Sequence, residues 1–262
     1  MNVSPLLWLS LAAIIVMVSV WLVQTRTRNA GIVDVMWAVM VAASAVYLAL
    51  VLPGAPLRRA VMGVLGGLWG LRLAWHLGRR VIGEPEDGRY AYLREHWQGH
   101  QGKFLLFFLA QAVMVVLFSL PFWIVGHNPR EGVDIWIVLA VLIWAVAVGG
   151  EALADRQLAA HRKDPDNKGK TCRRGLWRYS RHPNYFFEWI HWFAYVFLTV
   201  GSGTGSVLAS FAGPAVMLIF LYRFTGIPYT EAHALRSRGE DYARYQRSTS
   251  AFVPLPPKHD AG

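Results

Sequence analysis

The sequence predicts an all-α fold, a polytopic membrane protein built as a bundle of seven transmembrane helices. Of its 262 residues, 55% are hydrophobic and 16% are charged, whereas an average soluble domain carries about 25% charged residues. Seven stretches approach the roughly 20 apolar residues that a membrane-crossing helix needs. Tryptophan, which is enriched at membrane interfaces, occurs 12 times. The chain is therefore too apolar for an ordinary soluble enzyme, and its composition also excludes a disordered tail protein.

The predicted spans are the stretches 5–23, 32–52, 60–77, 104–125, 133–154, 185–201 and 205–224. The first has no basic segment before it and no Ala-x-Ala cleavage site, so we interpret it as a span rather than a signal peptide. Pro254, Pro256 and Pro257 cannot continue a helix, and we expect a loose tail there. The single cysteine, Cys172, excludes a disulfide framework and a CxxC zinc site.

The distribution of basic residues predicts the orientation of the bundle. Residues 155–182 contain nine lysines and arginines against three aspartates, and the whole chain carries a net charge of +10. By the positive-inside rule the N-terminus lies outside, the C-terminus is cytoplasmic, and three strongly basic loops face the cytoplasm. Nucleic-acid binding is the weaker interpretation of the same charge, and we expect no nucleic-acid partner.

Ionisable residues within the first three spans are candidates for function, because charge is costly in hydrocarbon. Asp34 lies near the start of the second span, where it either serves the site or simply stabilises the positive end of the helix dipole. Arg72, His76 and either Arg79 or Arg80 follow at helical spacing on one face of the third span. They predict a polar stripe, although one of the last two arginines is explained by membrane anchoring alone.

A second polar face leaves the fifth span. Glu151 and Asp155 are four residues apart, and Arg162 stays near their face if the helix continues. The basic loop that follows, 163–170, combines several cations with asparagine and glycine. Such a loop binds either a phosphate-bearing ligand or the headgroups of anionic lipids, and composition leaves both open.

The densest polar segment runs from 175 to 192. Pro183 fits the first turn of a helix, and Asn184, Glu188 and either His191 or Trp192 then share one face. A buried carboxylate must be paired or hydrogen-bonded. The segment therefore indicates either a ligand site or, less in keeping with its composition, a structural Arg–Glu pair. No HExxH-like histidine spacing is present, so we expect no metal. The sequence also contains neither a Walker loop nor a glycine-rich dinucleotide fingerprint.

At this segment the sequence resembles a known family. Arg181-His182-Pro183-Asn184-Tyr185-x-x-Glu188, followed by Trp192, is similar to the C-terminal signature of the membrane-embedded steroid 5-alpha-reductase family, above all its bacterial branch. The resemblance covers most of the chain and is strongest over 149–256. It implies one integral membrane domain over 1–262 that encloses NADPH and a lipid-like enone. Residues 1–130 would then form the substrate side, 131–256 the NADPH side and 257–262 the tail.

The resemblance also implies site residues. Asn184, Glu188 and Trp192 match family positions, as do Asp155 and Arg162, whereas Glu151 stands where the steroid enzymes have asparagine. The predicted cofactor-binding residues are Arg72, Arg79, Glu151, Asp155, Arg162, Lys168, Lys170, Arg174, Tyr179, Arg181, His182, Asn184, Tyr185, Glu188, Trp192 and Glu231.

The substrate end departs from the family pattern. Asp34 falls at a glutamate position and His76 at a tyrosine position, and Val33 replaces the adjacent glutamine. We predict that His76 donates the proton to the substrate and that Asp34 orients His76. The implied reaction is reduction of a hydrophobic α,β-unsaturated carbonyl in a bacterial inner membrane, at a site open to the cytoplasm. Besides substrate and membrane lipids, we expect no obligate protein partner.

Two alternatives stay open. Isoprenylcysteine and phospholipid methyltransferases, which bind S-adenosylmethionine, share an Arg-His-Pro-x-Tyr segment and a similar acidic tail. A non-catalytic lipid-binding or transport protein is the second alternative. Against transport, the sequence shows neither repeats nor paired broken helices.

Overall fold

The computed structural model describes residues 3–224 and 226–258, and all regular secondary structure in these residues is helical. The helices are α1 Ser4–Thr27, α2 Ile32–Val51, α3 Pro56–Gly83, α4 Gly88–His96, α5 Gln101–Val125, α6 Ile135–Lys163, α7 Pro183–His191, α8 Phe193–Thr199, α9 Thr204–Ser210, α10 Ala212–Ile219, α11 Ile227–Arg238 and α12 Glu240–Ser248. Short 3-10 turns cover Pro165–Asn167 and Gly175–Arg178, and a π-helical segment covers Phe220–Phe224. The prediction of an all-α fold is confirmed for the described residues.

Six helical stretches are long and apolar enough to cross a membrane, which is the character of an integral membrane protein. They are α1, α2, α3, α5, α6 and the stretch Thr204–Arg238. The first five predicted spans coincide with α1, α2, α3, α5 and α6. The sixth, predicted as one helix over 185–201, is divided at Trp192 into α7 and α8. There the backbone N–H of Trp192 donates to the carbonyl of Trp189 at 3.2 Å, an i to i−3 bond that tightens the chain into a turn.

The described chain divides into two compact units. The residues up to Val138, together with Tyr195–Gly213, form the first unit, and Leu139–Ala194 with the residues from Pro214 onward form the second. The expected division at residue 130 into a substrate side and an NADPH side concerns ligands and stays a prediction.

Close packing of α2 against α3 organises the first unit. Three glycines of α3 lie against three alanines of α2: Gly63 against Ala49, Gly66 against Ala45 and Gly70 against Ala42. In hydrocarbon the hydrophobic effect does not drive helices together, so small residues that let two backbones approach take over this role. The α2–α3 pair therefore depends on the absence of side chains along this stripe.

A fully buried arginine fixes one end of the first unit. Arg58, in the first turn of α3, donates to Asp134 Oδ2 at 2.5 Å and to the backbone carbonyls of Arg130 and Leu198 at 2.9 and 3.2 Å. Asp134 also accepts the backbone N–H of Ile137 at 3.1 Å and thereby caps α6. Burial alone would raise the pKa of Asp134, but the Ile137 hydrogen bond and Arg58 outweigh it and hold that pKa below its usual value.

In the second unit the C-terminal segment is docked. The backbone N–H of Leu255 donates to the carbonyl of Tyr179 at 3.0 Å, and that of Lys258 donates to the carbonyl of Ser248 at 2.8 Å. Phe252 is buried, and its carbonyl accepts the Ser180 hydroxyl at 2.7 Å. The expectation of a loose tail is therefore wrong up to residue 258, because these bonds and the buried ring hold it. Residues 259–262 of the predicted tail lie outside the described residues.

The close packing of the α3 glycines against the α2 alanines yields a prediction for Gly70→Ala. A Cβ at this position would lie 2.7 Å from the Ala42 Cβ and 2.9 Å from the Ala38 carbonyl oxygen. We expect it to force α2 and α3 apart and to destabilise the protein by about 1–3 kcal/mol. The check is the thermal unfolding midpoint in detergent.

The matched control is Gly149→Ala in α6, where a Cβ meets open space. Since alanine favours helix over glycine by up to about 1 kcal/mol, this variant should be neutral or stabilising. Equal unfolding midpoints for the two variants would contradict the conclusion that the α2–α3 packing depends on glycine at position 70.

Candidate functional site

Asp34 lies in the first turn of α2 and is held by two side chains of α4. Arg89 Nη2 donates to Asp34 Oδ2 at 2.9 Å, and the Tyr90 hydroxyl donates to Asp34 Oδ1 at 2.7 Å. Both carboxylate oxygens are therefore engaged from one short helix that the sequence analysis did not predict. These contacts fix α4 against the start of α2.

The start of α4 is set by Asp87. Its carboxylate accepts the backbone N–H of Arg89 at 3.0 Å, which caps the helix, and also the Arg89 Nε at 3.2 Å. Arg80, at the end of α3, donates to the other oxygen of Asp87 at 3.3 Å. Burial alone would raise the pKa of Asp87, but Arg89 and Arg80 outweigh burial and hold the pKa below its usual value.

A second ion pair braces the same region. Arg94 Nη2 donates to Glu86 Oε1 at 2.8 Å, and its Nε donates to Glu86 Oε2 at 3.0 Å. The guanidinium also lies 4.8 Å from the centre of the Phe104 ring, a cation–π contact. Glu86 Oε1 in turn accepts the backbone N–H of Ala30 at 2.7 Å, which ties the loop before α4 to the connection between α1 and α2.

Tyr90 is buried, with 2% of its surface exposed. Burial, and then the neighbouring Asp34 carboxylate, raise the pKa of Tyr90 well above its ordinary value. Its phenol therefore keeps its proton and directs it at Asp34. Beside this pair lies a cavity of about 40 Å³ lined by Asp34, Asp87 and Arg89. That volume admits a few water molecules and is too small for a cofactor.

The polar stripe of α3 is helical throughout, as predicted. Arg72 and His76 are half-buried, and Arg79 is exposed. The contacts described for the Asp34 carboxylate are with Arg89 and Tyr90, so the role of Asp34 in orienting His76 stays a prediction.

In the second unit, α6 continues to Lys163 and carries the predicted polar face. Glu151 is buried, Asp155 is half-buried and Arg162 is exposed. The Asn184 Nδ2 donates to Asp155 Oδ1 at 3.3 Å and so joins the first turn of α7 to α6. Two of the predicted cofactor-binding residues thus contact each other directly.

Helix α7 begins at Pro183, as predicted from the proline. Glu188 is 9% exposed, and His191 and Trp192, one turn further on, are 1% and 0% exposed. Of the residues predicted to share one face of this segment, Glu188, His191 and Trp192 are therefore buried, whereas Asn184 is half-buried. Gly150 explains how α7 approaches α6: a Cβ there would lie 2.5 Å from the Phe187 ring.

The basic loop before α7 exposes three predicted cofactor-binding cations. Lys168, Lys170 and Arg174 are exposed and make no ion pair with the residues that the structure describes. By contrast, the neighbouring Arg173 donates to Asp241 Oδ1 at 2.9 Å. Tyr179, also a predicted site residue, is 42% exposed. This loop therefore offers cations to a ligand without first breaking an ion pair.

Three other predicted cofactor residues contact one another. Arg181 Nε donates to Glu231 Oε1 at 2.6 Å, and its Nη1 donates to two backbone carbonyls at 2.7 and 2.9 Å. His182 Nε2 lies 3.3 Å from the same carboxylate oxygen. Gln246 and Tyr242, both on α12, also donate to Glu231, at 2.8 and 3.4 Å. These contacts join the loop to α11 and α12, and a cofactor contact by Arg181, His182 or Glu231 stays a prediction.

Two tyrosines complete this junction. The Tyr185 ring stacks on His182, with ring centres 5.3 Å apart and planes 6° apart. Tyr245 is 2% exposed and donates to the backbone carbonyls of Trp177 and Ser180. Tyr185 is thereby held beside the junction, at the first turn of α7.

Sequence reasoning missed α4 and its contacts with Asp34. A local signal was present, since Asp87 precedes Gly-Arg-Tyr, and an aspartate is a preferred residue at a helix N-cap. Nothing in the sequence indicated that Arg89 and Tyr90 would contact a residue some 55 positions earlier.

The contacts of Arg181, His182, Tyr242 and Gln246 with Glu231, here called the Glu231 junction, predict that the stability of the protein depends on pH. Burial lowers the pKa of His182 below its ordinary value near 6.5, although the adjacent Glu231 opposes the shift. Below about pH 6.5 the unfolded chain then binds more protons than the folded one, so acidification costs stability. We expect the thermal midpoint to fall less between pH 7.5 and 5.5 in His182→Gln than in the wild type.

The control is His100→Gln, which changes an exposed histidine and should keep the wild-type pH dependence. A fall in the midpoint of His182→Gln as large as that of the wild type would contradict the assignment.

The comparisons with known proteins place the chain in a family. A family model described as Protein of unknown function (DUF1295) matches residues 20–249. No curated protein and no solved structure matches the chain. Because the model covers most of the sequence, the chain belongs to this DUF1295 family.

Proposed function

We propose that the protein is an NADPH-dependent membrane reductase that acts on the C=C bond of a hydrophobic α,β-unsaturated carbonyl. The observation that carries the proposal is the hydrogen bond from Asn184 of α7 to Asp155 of α6. The loop that connects these two helices contains several exposed cations. The hydrogen bond involves two residues of the segment that resembles the steroid 5-alpha-reductase family. The substrate class follows from that resemblance, with a 3-oxo-Δ4-steroid or another lipid enone as candidates.

The donor set of the loop fits NADPH. Lys168, Lys170 and Arg174 are exposed cations that make no ion pair with the described residues, and charge-assisted bonds to phosphate are strong. We assign the diphosphate and the 2′-phosphate to them, which favours NADPH over NADH. Asn184 and Asp155 would orient the rest of the cofactor. When bound, NADPH supplies a hydride.

The proton is assigned to His76. Reduction of an enone develops negative charge on the carbonyl oxygen, so the site must supply a proton or hydrogen bonds there. His76 is half-buried, and an imidazole N–H is a group that can donate a hydrogen bond or a proton. Tyr90 is the poorer acid, because its raised pKa and its hydrogen bond to Asp34 keep its proton in place. Tyr90 and Arg89 would instead hold Asp34 in the orientation that His76 needs.

We also propose seven spans, with the N-terminus outside and the C-terminus in the cytoplasm. On this view α7 and α8 together, Pro183–Thr199, form one span that is interrupted at Trp192. An interrupted helix is tolerated at membrane depth where protein surrounds it, and Trp192 is 0% exposed. The net charge of residues 155–182 supports a cytoplasmic loop, with the cofactor site open to the cytoplasm. The bacterial inner membrane follows only from the resemblance to the bacterial branch of the family.

The main alternative is a methyltransferase that uses S-adenosylmethionine. That cofactor carries a sulfonium cation, an ammonium group and one carboxylate but no phosphate, so it would engage fewer of the exposed cations of the loop than NADPH. A non-catalytic lipid-binding protein would need the loop cations only for lipid headgroups. It would not require a neutral asparagine hydrogen-bonded to Asp155.

Cofactor binding by the purified full-length protein tests the proposal. We expect NADPH to bind, NADH to bind more weakly and S-adenosylmethionine not to bind, as measured by isothermal titration. Lys168→Gln/Lys170→Gln should weaken NADPH binding about tenfold or more, since a hydrogen bond to a charged group contributes about 1.5–3 kcal/mol.

The control replaces two exposed cations of the first unit, Arg26→Gln/Lys103→Gln, and should leave NADPH affinity unchanged. Binding of S-adenosylmethionine without NADPH would reverse the choice of cofactor. Equal effects of the two double variants would reject the loop as the phosphate site.

Turnover tests the proton donor. With an enone substrate found by following NADPH oxidation, we expect His76→Gln to lower turnover by about 100-fold or more, because general acid catalysis contributes about 10²–10⁴. NADPH affinity should stay near normal. Tyr90→Phe should cause a smaller loss, since it removes only one hydrogen bond to Asp34.

Tyr92→Phe is the control on the same helix, where the side chain is 49% exposed, and should keep full turnover. Full turnover in His76→Gln would show that another group donates the proton. A larger loss in Tyr90→Phe than in His76→Gln would transfer that role to Tyr90.

A further inference from the structure

An open apolar groove lies in the second unit, and none of its lining residues is among those predicted for the reductase site. Its volume is about 470 Å³, within the range of about 300–1,000 Å³ that small-molecule sites occupy. Its lining includes Trp189 of α7, Leu218 and Ile219 of α10, Tyr222 and Arg223 of the π-helical segment, and Phe252 of the docked tail.

The wall of the groove is a connected set of aromatic rings. The Phe252 ring centre lies 5.7 Å from that of Trp189 and 5.2 Å from that of Tyr222. The Trp189 Nε1 donates to the backbone carbonyl of Pro214 at 3.0 Å, so its polar atom is already satisfied. What the ring offers to a ligand is therefore its apolar face. Ile219 is 51% exposed, which leaves the groove open along one side.

The backbone at the groove is unusual. The π-helical segment Phe220–Phe224 follows α10 directly, and such segments are rare and frequent at functional sites. It carries both Tyr222 and Arg223 to the groove. The irregular turn therefore places an aromatic ring and a cation side by side.

Arg223 contributes a cation to the lining of the groove. It is exposed, and it makes no ion pair with the residues that the structure describes. In sequence it is the first lysine or arginine after Arg181, so it closes the apolar run that begins at Thr204. That run belongs to a stretch long and apolar enough to cross a membrane. An apolar groove whose lining includes a cation directly after a long uncharged run has the chemistry of an amphiphile site.

We propose that this groove binds one anionic phospholipid, with an acyl chain along Trp189, Leu218 and Phe252 and the headgroup phosphate on Arg223. The cation selects for negative headgroups, and the aromatic wall selects for a hydrocarbon chain. The site does not depend on the reductase function, because none of its residues belongs to the proposed cofactor or substrate contacts.

Native mass spectrometry of the full chain in detergent tests the site. The protein is titrated with phosphatidylglycerol or phosphatidylcholine of identical acyl chains. We expect one phosphatidylglycerol to be retained with about fivefold or higher preference over phosphatidylcholine, the scale of one basic residue at an anionic membrane surface. Arg223→Gln should abolish the preference, and Leu218→Trp, which fills the groove, should abolish retention of either lipid.

Two controls lie on α1. Arg26→Gln removes an exposed cation in the last turn of a membrane helix, and Leu22→Trp enlarges a side chain that is 54% exposed. Both should behave as the wild type. Equal retention of the two lipids by the wild type would overturn the proposal, as would equal losses in Arg223→Gln and Arg26→Gln. Because Arg223 is exposed, its variant tests the site even if Leu218→Trp does not fold.

Discussion

Hydrocarbon cannot hydrogen-bond, and this one constraint shapes the whole molecule. Six apolar helices can satisfy their own backbone groups, and buried hydroxyls such as those of Ser44 and Ser119 hydrogen-bond to each other. Arg58 shows the principle at its limit: it is 0% exposed, yet it donates to Asp134 and to two backbone carbonyls. Removing one partner of such a pair leaves a buried charge, which costs about 3–5 kcal/mol. The polar contacts of the first unit are therefore conditions of folding before they are parts of a site.

The elements that sequence predicted well are those with local causes. Five spans follow from runs of apolar residues, which need no knowledge of the rest of the chain. The start of α7 follows from Pro183, and the continuous face of Glu151, Asp155 and Arg162 follows from helical periodicity. The division at Trp192 escaped prediction because the residues on both sides are apolar, and a hydropathy average does not register a turn between them.

The elements that sequence missed depend on contacts between distant positions. Arg89 and Asp34 are 55 residues apart, and Arg181 and Glu231 are 50 residues apart. No periodicity links such residues, so α4 looked like a polar loop. The prediction of a loose C-terminal tail was wrong for a related reason. The tail's prolines do exclude a helix, but backbone hydrogen bonds to distant residues, such as that from Leu255 to Tyr179, hold a non-helical segment equally well.

The basic loop shows what geometry adds to a charge count. The sequence does not show which of the nine lysines and arginines between 155 and 182 form ion pairs and which are left exposed without one. In the structure Arg181 and Arg173 form ion pairs with carboxylates, whereas Lys168, Lys170 and Arg174 are exposed and make no ion pair with the described residues. A committed arginine would have to give up its ion pair to bind phosphate, and the net gain would be small. The cations that make no ion pair with the described residues would keep the full gain, so the proposed phosphate binding and the Glu231 junction would draw on different residues of one loop. Variants at the two sets should therefore separate cofactor affinity from stability.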